Sequence, residues 1–308
     1  MKHLTQSLLV VLLFALPGIV HAALSDYFVS TDWVAGNRDQ VVVVDVRRQP
    51  FYLLGHITGA QHVDRAEFLE TRHQVNSLVP SVAAFTALLS RLGVTPETTV
   101  IAYAEDDNPY AARFVWTLRY HGHKNAYVLD GGYNKWAAED RDTSLLPSNK
   151  LHRSQYVLAA DADCLRARSD ADYIYTRLEN PGVVVWDTRS PAEFIGTDVR
   201  ADRGGHIPGA VHLNWSDLQT EVNGVKVLKS EPELVALLQA KGLTPDQEIV
   251  AHCQTGIRSS YATLVLLGLG YNQVKNYDGS WIEWANNKAL PIINVEGKLE
   301  SPVHVSRN

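Results

Sequence analysis

The sequence predicts an α/β protein of two tandem domains, each a parallel sheet covered by helices on both faces. Three observations predict it. Short runs rich in valine and isoleucine alternate with amphipathic segments of helix length. The same ordered set of segments occurs twice along the chain. A length of 308 residues suits two domains of about 140 residues, each able to bury a core of its own. The composition, 45% hydrophobic and 20% charged, is that of an ordinary globular protein. A formal net charge of −6, with no cluster of lysine or arginine beyond short pairs, excludes a nucleic-acid footprint.

The chain opens on Lys2 and His3, then an apolar stretch from Leu8 to Val20, then Val20-His21-Ala22 before Ala23. That is a secretory signal pattern, with cleavage expected after Ala22. The apolar stretch falls short of the roughly 20 residues that a spanning helix needs, so no membrane association is expected after cleavage. Removal of residues 1–22 leaves 27 basic and 34 acidic residues, a net charge of −7, and the mature protein is expected to be periplasmic or secreted. Two cysteines, Cys164 and Cys253, are too few for a disulfide framework, although an oxidising compartment would permit them to pair.

The repeat runs in order through both halves. Val41-Val42-Val43-Val44 leads into Asp45-Val46-Arg47, and Val183-Val184-Val185-Trp186 into Asp187-Thr188-Arg189, so a strand ending in Asp-x-Arg is expected twice. Gly55-His56-Ile57-Thr58-Gly59-Ala60 with His62 then matches Gly205-His206-Ile207-Pro208-Gly209-Ala210 with His212. A helical pattern from Val82 to Leu92 stops at Gly93; its twin starts on the capping box Ser230-Glu231-Pro232-Glu233 and stops at Gly242. Buried strands are expected at Val100 to Ala104 and Ile249 to His252, each feeding a loop and a further helix. Asp130-Gly131-Gly132-Tyr133 with Trp136 matches Asp278-Gly279-Ser280-Trp281 with Trp284. The segment around Pro147-Ser148-Asn149-Lys150 lacks periodicity. Domains are therefore expected at 24–145 and 157–297, with a linker at 146–156 and a tail at 298–308.

The halves differ at one loop. Aligned back from the Asp-Gly segments, Cys253 falls opposite Glu105. Cys253 opens the loop Gln254-Thr255-Gly256-Ile257 that leads to Arg258, and a strand-loop-helix turn of this kind directs backbone N–H groups and the positive end of a helix dipole inward. A thiol there is expected to be held as thiolate, the nucleophilic form. Gly256 lets the backbone fold tightly, and Arg258 adds positive charge, either supporting the loop or contacting substrate. His252 reads as a core histidine. His206 and His212 read as loop-holding residues rather than metal ligands, because no paired ligand spacing accompanies them. Cys164, aligned with Trp33, reads as an inert residue packed inward.

Strand-Asp-x-Arg, Gly-His-Ile-Pro-Gly-Ala, a cysteine opening a six-residue loop and Asp-Gly-Ser-Trp, with Val29-Ser30-Thr31-Asp32-Trp33 near the start, together resemble the tandem rhodaneses. The resemblance implies a sulfurtransferase in which Cys253 takes a sulfane sulfur from a small-molecule donor as a persulfide. It then passes the sulfur to a thiophilic acceptor such as cyanide, a thiol or a protein, in a ping-pong cycle without a cofactor. It implies Arg189 as donor-binding residue. Asp187 is expected to be structural, bonding loop backbone or holding an arginine. The first domain, whose loop has no thiol, is expected to do no sulfur chemistry and to wall the second domain's site. The loop departs from both familiar types, which carry an early basic residue or Gly-Ser-Gly-Val-Thr. Thiosulfate is the expected donor, with 3-mercaptopyruvate as the alternative. Dual-specificity phosphatases of this fold carry Cys-x-x-x-x-x-Arg, one residue longer than the span from Cys253 to Arg258. A non-catalytic binding module would carry a spoiled loop in both halves, whereas only the first half, with Glu105, Asp106 and Asp107, does.

Overall fold

A computed structural model describes residues 22–148, 153–157 and 167–301. The expected signal segment up to residue 21, Cys164 and the end of the chain from residue 302 lie outside the described residues. In the first half the elements are β1 (Phe28–Val29), α1 (Thr31–Asn37), β2 (Val41–Asp45), α2 (Gln49–Leu53), β3 (His56–Ile57), β4 (Gln61–His62), β5 (Glu70–Arg72) and β6 (Val75–Leu78). They continue with α3 (Val82–Arg91), β7 (Thr99–Tyr103), α4 (Tyr110–Tyr120), β8 (Ala126–Leu129), α5 (Gly132–Ala138) and β9 (Thr143–Ser144). The second half has β10 (Arg168–Ser169), α6 (Ala171–Tyr175), β11 (Val183–Asp187), α7 (Pro191–Ile195), β12 (Val211–His212), β13 (Gln219–Val222) and β14 (Val225–Leu228). It ends with α8 (Glu231–Ala240), β15 (Glu248–His252), α9 (Ile257–Gly268), β16 (Val274–Tyr277), α10 (Ser280–Asn286), β17 (Ile292–Ile293) and β18 (Leu299–Glu300).

Each half builds a five-stranded parallel sheet, ordered β1-β8-β7-β2-β4 in the first and β10-β16-β15-β11-β12 in the second. Valine-rich strands suit a sheet buried on both faces, and the central strands β7 and β15 are buried along most of their length. The register pairs Asp45 with Tyr103 and Asp187 with His252, so the chemistry-bearing residues gather at the carboxyl ends of neighbouring strands. The boundaries of α3 and α8 match the sequence pattern, and Ser230 and Glu233 form the expected capping box.

Each half keeps a smaller buried cluster of its own, and the two share a larger one. Helix α4 packs on α9, and a single cluster of buried side chains runs from Phe28, Phe85 and Phe114 to Tyr261, Leu264 and Val265. Phe28 meets Tyr261 edge to face at 5.3 Å. Each half also lends a hairpin to the other. After β5 and β6, the Val79 amide donates to Asp278 Oδ2 at 3.0 Å; from β13 and β14, the Leu228 amide donates to Asp130 Oδ1 at 2.8 Å. The acidic loop after β7 receives the second hairpin, Asp106 Oδ2 accepting the Lys226 amide at 2.7 Å.

Two expectations need correction. Strands β1 and β10, with the helices after them, place Tyr173 rather than Cys164 opposite Trp33, and Trp33 is 40% exposed instead of packed inward. The spacing between the halves changes along the repeat, 140 residues from Phe28 to Arg168 but 148 from Asp130 to Asp278, so one register cannot be carried back to its start. Leu299 and Glu300, expected in the tail, pair with β17 in an antiparallel ladder. Among the described residues no helix is long and apolar enough to cross a membrane.

Candidate active site at the Cys253 loop

Cys253 follows β15 directly and is 1% exposed. Every carbonyl with a described partner in its loop is drawn outward. The Cys253 carbonyl accepts from the Trp281 amide at 3.0 Å and from His252 Nδ1 at 3.2 Å, and the Gln254 carbonyl accepts from the Ile282 amide at 3.0 Å. The Gly256 carbonyl accepts from Ser260 Oγ at 2.7 Å, Asn276 Nδ2 at 3.0 Å and Arg113 Nη1 at 3.2 Å. Because C=O and N–H of a trans peptide point in opposite directions, the loop's N–H groups are left facing inward. Gly256 adopts φ +75°, and a Cβ there would lie 2.7 Å from the Asp278 carbonyl, so glycine is required twice over.

Electrostatics follow from this frame. Burial alone would push the Cys253 thiol up, but Arg258, the Ser259 and Thr255 amides and the Ser259 hydroxyl outweigh it and the thiol is held below its ordinary range. Arg258, in the first turn of α9, is fixed by Glu193, which accepts from Nη1 at 2.6 Å and Nη2 at 2.7 Å. Burial opposes ionisation of Glu193, yet Arg258 holds its carboxyl down at about 2. The pair therefore keeps a guanidinium beside the sulfur across the neutral range. Ser280 donates to the Tyr277 carbonyl at 2.7 Å and accepts the Cys253 amide at 3.2 Å from a left-handed backbone, φ +53°, a strained conformation for serine. Asp-Gly-Ser-Trp is thus part of the loop's support.

Arg189 is tied into a buried ion pair at the strand end. It is buried, with Nε and Nη2 on Asp187 (2.6 Å at the closest), a further bond from Nη2 to the Gly205 carbonyl at 2.7 Å, and its guanidinium 4.3 Å from the Trp281 ring. The first half repeats the arrangement without any thiol: Arg47 bonds Asp45 at 2.6 Å and the Gly55 carbonyl at 2.6 Å. An ion pair built identically beside a loop without a thiol holds the strand end to the glycine turn, and it occupies Nε and Nη2 of Arg189 but not Nη1. Asp187, fully buried, is pushed up by burial but held at about 2 by His252 and Arg189.

The histidines fall as expected from their motif. His206 Nδ1 donates to the Phe194 carbonyl and His212 Nε2 to the Arg189 carbonyl, each at 2.9 Å. His252 is fully buried, and desolvation lowers its pKa to about 4 despite Asp187 at 3.5 Å. Three residues escaped the sequence reading: Glu193, Arg113 and Arg200. Arg200 stays half-exposed, its Nη1 3.7 Å from Glu193, while its carbonyl accepts Gln254 Nε2 at 2.8 Å. Glu193 alone carried a legible signal, as the third helical residue of a capping box from Ser190.

Comparison with known proteins agrees with this geometry. The family model described as the rhodanese-like domain matches residues 30–139 and again 170–287. A thiosulfate sulfurtransferase of Pseudomonas aeruginosa is 33% identical over 257 residues, covering 82% of this chain and 91% of its own. A sulfur carrier protein of Thermus thermophilus is 37% identical over 287 residues, covering 88% and 98%. The solved 3-mercaptopyruvate sulfurtransferase of Leishmania major superposes with a TM-score of 0.73 at 22% identity, over 84% of this chain and 74% of that one.

Proposed function

Since the chain belongs to the rhodanese-like family in both halves, we infer that it is a thiosulfate sulfurtransferase working through a persulfide on Cys253. The observation that carries this reading is the thiol at the head of a loop whose carbonyls turn outward and whose guanidinium is locked in place by Glu193. In the first half-reaction the Cys253 thiolate attacks the outer sulfur of thiosulfate, the S–S bond breaks, and sulfite leaves with the bonding pair. In the second, the acceptor's nucleophile attacks the terminal sulfur and the thiolate is restored. Inward N–H groups and Arg258 stabilise the anion in each step, as an oxyanion hole does.

For the donor's anionic end, Arg200 takes the place of Arg189 in this reading, because its guanidinium, though paired with Asp198 at 2.6 Å, stays half-exposed beside the loop while Arg189 is buried. The acceptor is a thiophile such as cyanide or a thiol; the Thermus relative's name supports a protein acceptor as well. The signal-like segment ending at Ala22 supports export to the periplasm or beyond, which N-terminal sequencing of the mature protein tests. Steady-state assays varying thiosulfate and cyanide test the main reading. Parallel double-reciprocal plots are expected, and intersecting lines would mean a ternary complex with no persulfide between half-reactions.

A further inference from the structure

Arg113 lies on α4 of the first half, is fully buried, and reaches across to the second half while keeping one bond to its own. Nη2 donates to Asp278 Oδ1 at 2.6 Å and to the Ser77 carbonyl at 2.7 Å, while Nη1 donates to the Gly256 carbonyl at 3.2 Å. Asp278 is held on its other oxygen by Arg168 Nε at 3.1 Å and the Val79 amide at 3.0 Å. We propose that Arg113 is a positioning residue, contributed in trans by the half without a thiol, that clamps the Gly256 carbonyl outward and so keeps the Cys253 cradle in its anion-binding shape.

Two observations carry this. The Gly256 peptide is the last before α9, so holding its carbonyl away from the sulfur turns the Ile257 N–H toward the loop interior; Ser260 and Asn276 share that hold, and Arg113 is the one charged donor in it, drawing the carbonyl's negative end away from a developing anion. The repeat also breaks its symmetry at this position. Arg113 stands eight residues beyond Glu105, and Tyr261 stands eight beyond Cys253. Tyr261 reaches the thiol-free loop from the opposite half, at a small cleft lined also by Asp106, Asp130 and Gly132. The guanidinium is thus aimed at the loop that bears the thiol, and a phenol fills the mirror place where no anion is held.

The inference rests on Cys253 as sulfur carrier, and its test separates the two. In a Cys164→Ser background, so that Cys253 alone reports, alkylation by iodoacetamide is followed against pH for the parent, Arg113→Met and Arg113→Lys. The groups around the thiol in that profile are Arg258 with Glu193 behind it, His252 with Asp187, and Arg113 with Asp278 and Arg168. Arg113→Met is expected to shift the alkylation midpoint upward and to slow sulfite release from saturating thiosulfate at least tenfold, with thiosulfate KM within twofold. Arg113→Lys keeps the charge but not the two-nitrogen fork, and is expected to lose activity severalfold while staying folded. If Arg113→Met does not fold, the lysine variant decides alone. A folded variant with the parent's alkylation profile and sulfite-release rate, weaker only in urea, overturns the positioning role. Sulfur uptake by Cys253→Ser would instead remove the premise, and the proposal with it.

Discussion

Expressing residues 157–308 alone should give a poorly folded and inactive protein, because the second half takes part of its core from the first. On α9, Tyr261 packs against Phe28 and Gly268 lies 3.0 Å from Leu24 by its would-be Cβ; the helical period puts Val265 on the same stripe. Trp215 leans on Tyr261 at 5.4 Å and opens with it. Exposing Tyr261, Val265 and Trp215 at about 1.5–3 kcal/mol each costs roughly 4.5–9 kcal/mol. That is comparable with the whole stability of an ordinary domain, about 5–15 kcal/mol. The Arg113 clamp on Gly256 is lost as well. Soluble yield, urea unfolding and sulfite release per folded molecule, each against the mature chain, measure the effect. A soluble half that unfolds cooperatively and turns over at the mature rate would refute the shared-core argument.

Other outcomes follow from single residues. Arg189→Ala should act as a folding lesion, costing about 3 kcal/mol in urea because it strands a buried Asp187, with donor KM changed little in the protein that folds. Arg200→Ala should leave stability alone and raise thiosulfate KM about fivefold, the roughly 1 kcal/mol of a half-exposed charge contact. The reverse pattern, measured by KM and urea midpoint together, would return the donor to Arg189. His252, lowered by burial from 6.5 to about 4, takes its proton more readily in the unfolded chain, so folding stability should fall as pH drops through that window. The limit is about 3 kcal/mol; His252→Asn should flatten the urea midpoint between pH 7 and pH 4.5, and an unchanged slope would deny the linkage. Cys164→Ser should keep most turnover, whereas an inactive but folded variant would point to a redox pair.

What the sequence made legible was local and repeated. The Asp-x-Arg strand ends, the glycine turns and the cysteine loop each span a few residues, so their spacing survives in the chain and recurs in the second half. The contacts that complete the site do not. Arg113 meets Gly256 and Asp278 across 143 and 165 residues, and Glu193 meets Arg258 across 65, distances over which no period connects one residue to another. The burial of Arg189 was hidden for a related reason: its neighbours in sequence give a strand end, but only the turn at Gly205 and the ring of Trp281 enclose its side chain. The acidic loop of the first half reads in the sequence as a spoiled loop, and only the fold gives it a task of its own: Asp106 spends its charge on the backbone of the hairpin at Lys226.

The central claim is a sulfur held covalently on Cys253 between half-reactions. Intact-protein mass spectrometry after incubation with thiosulfate and removal of excess donor tests it most directly. One added sulfur, released by a reductant or by cyanide, localised to the Cys253 peptide and missing from Cys253→Ser, is the predicted result. No adduct on a protein that turns over, or an adduct that persists in Cys253→Ser, would contradict the account.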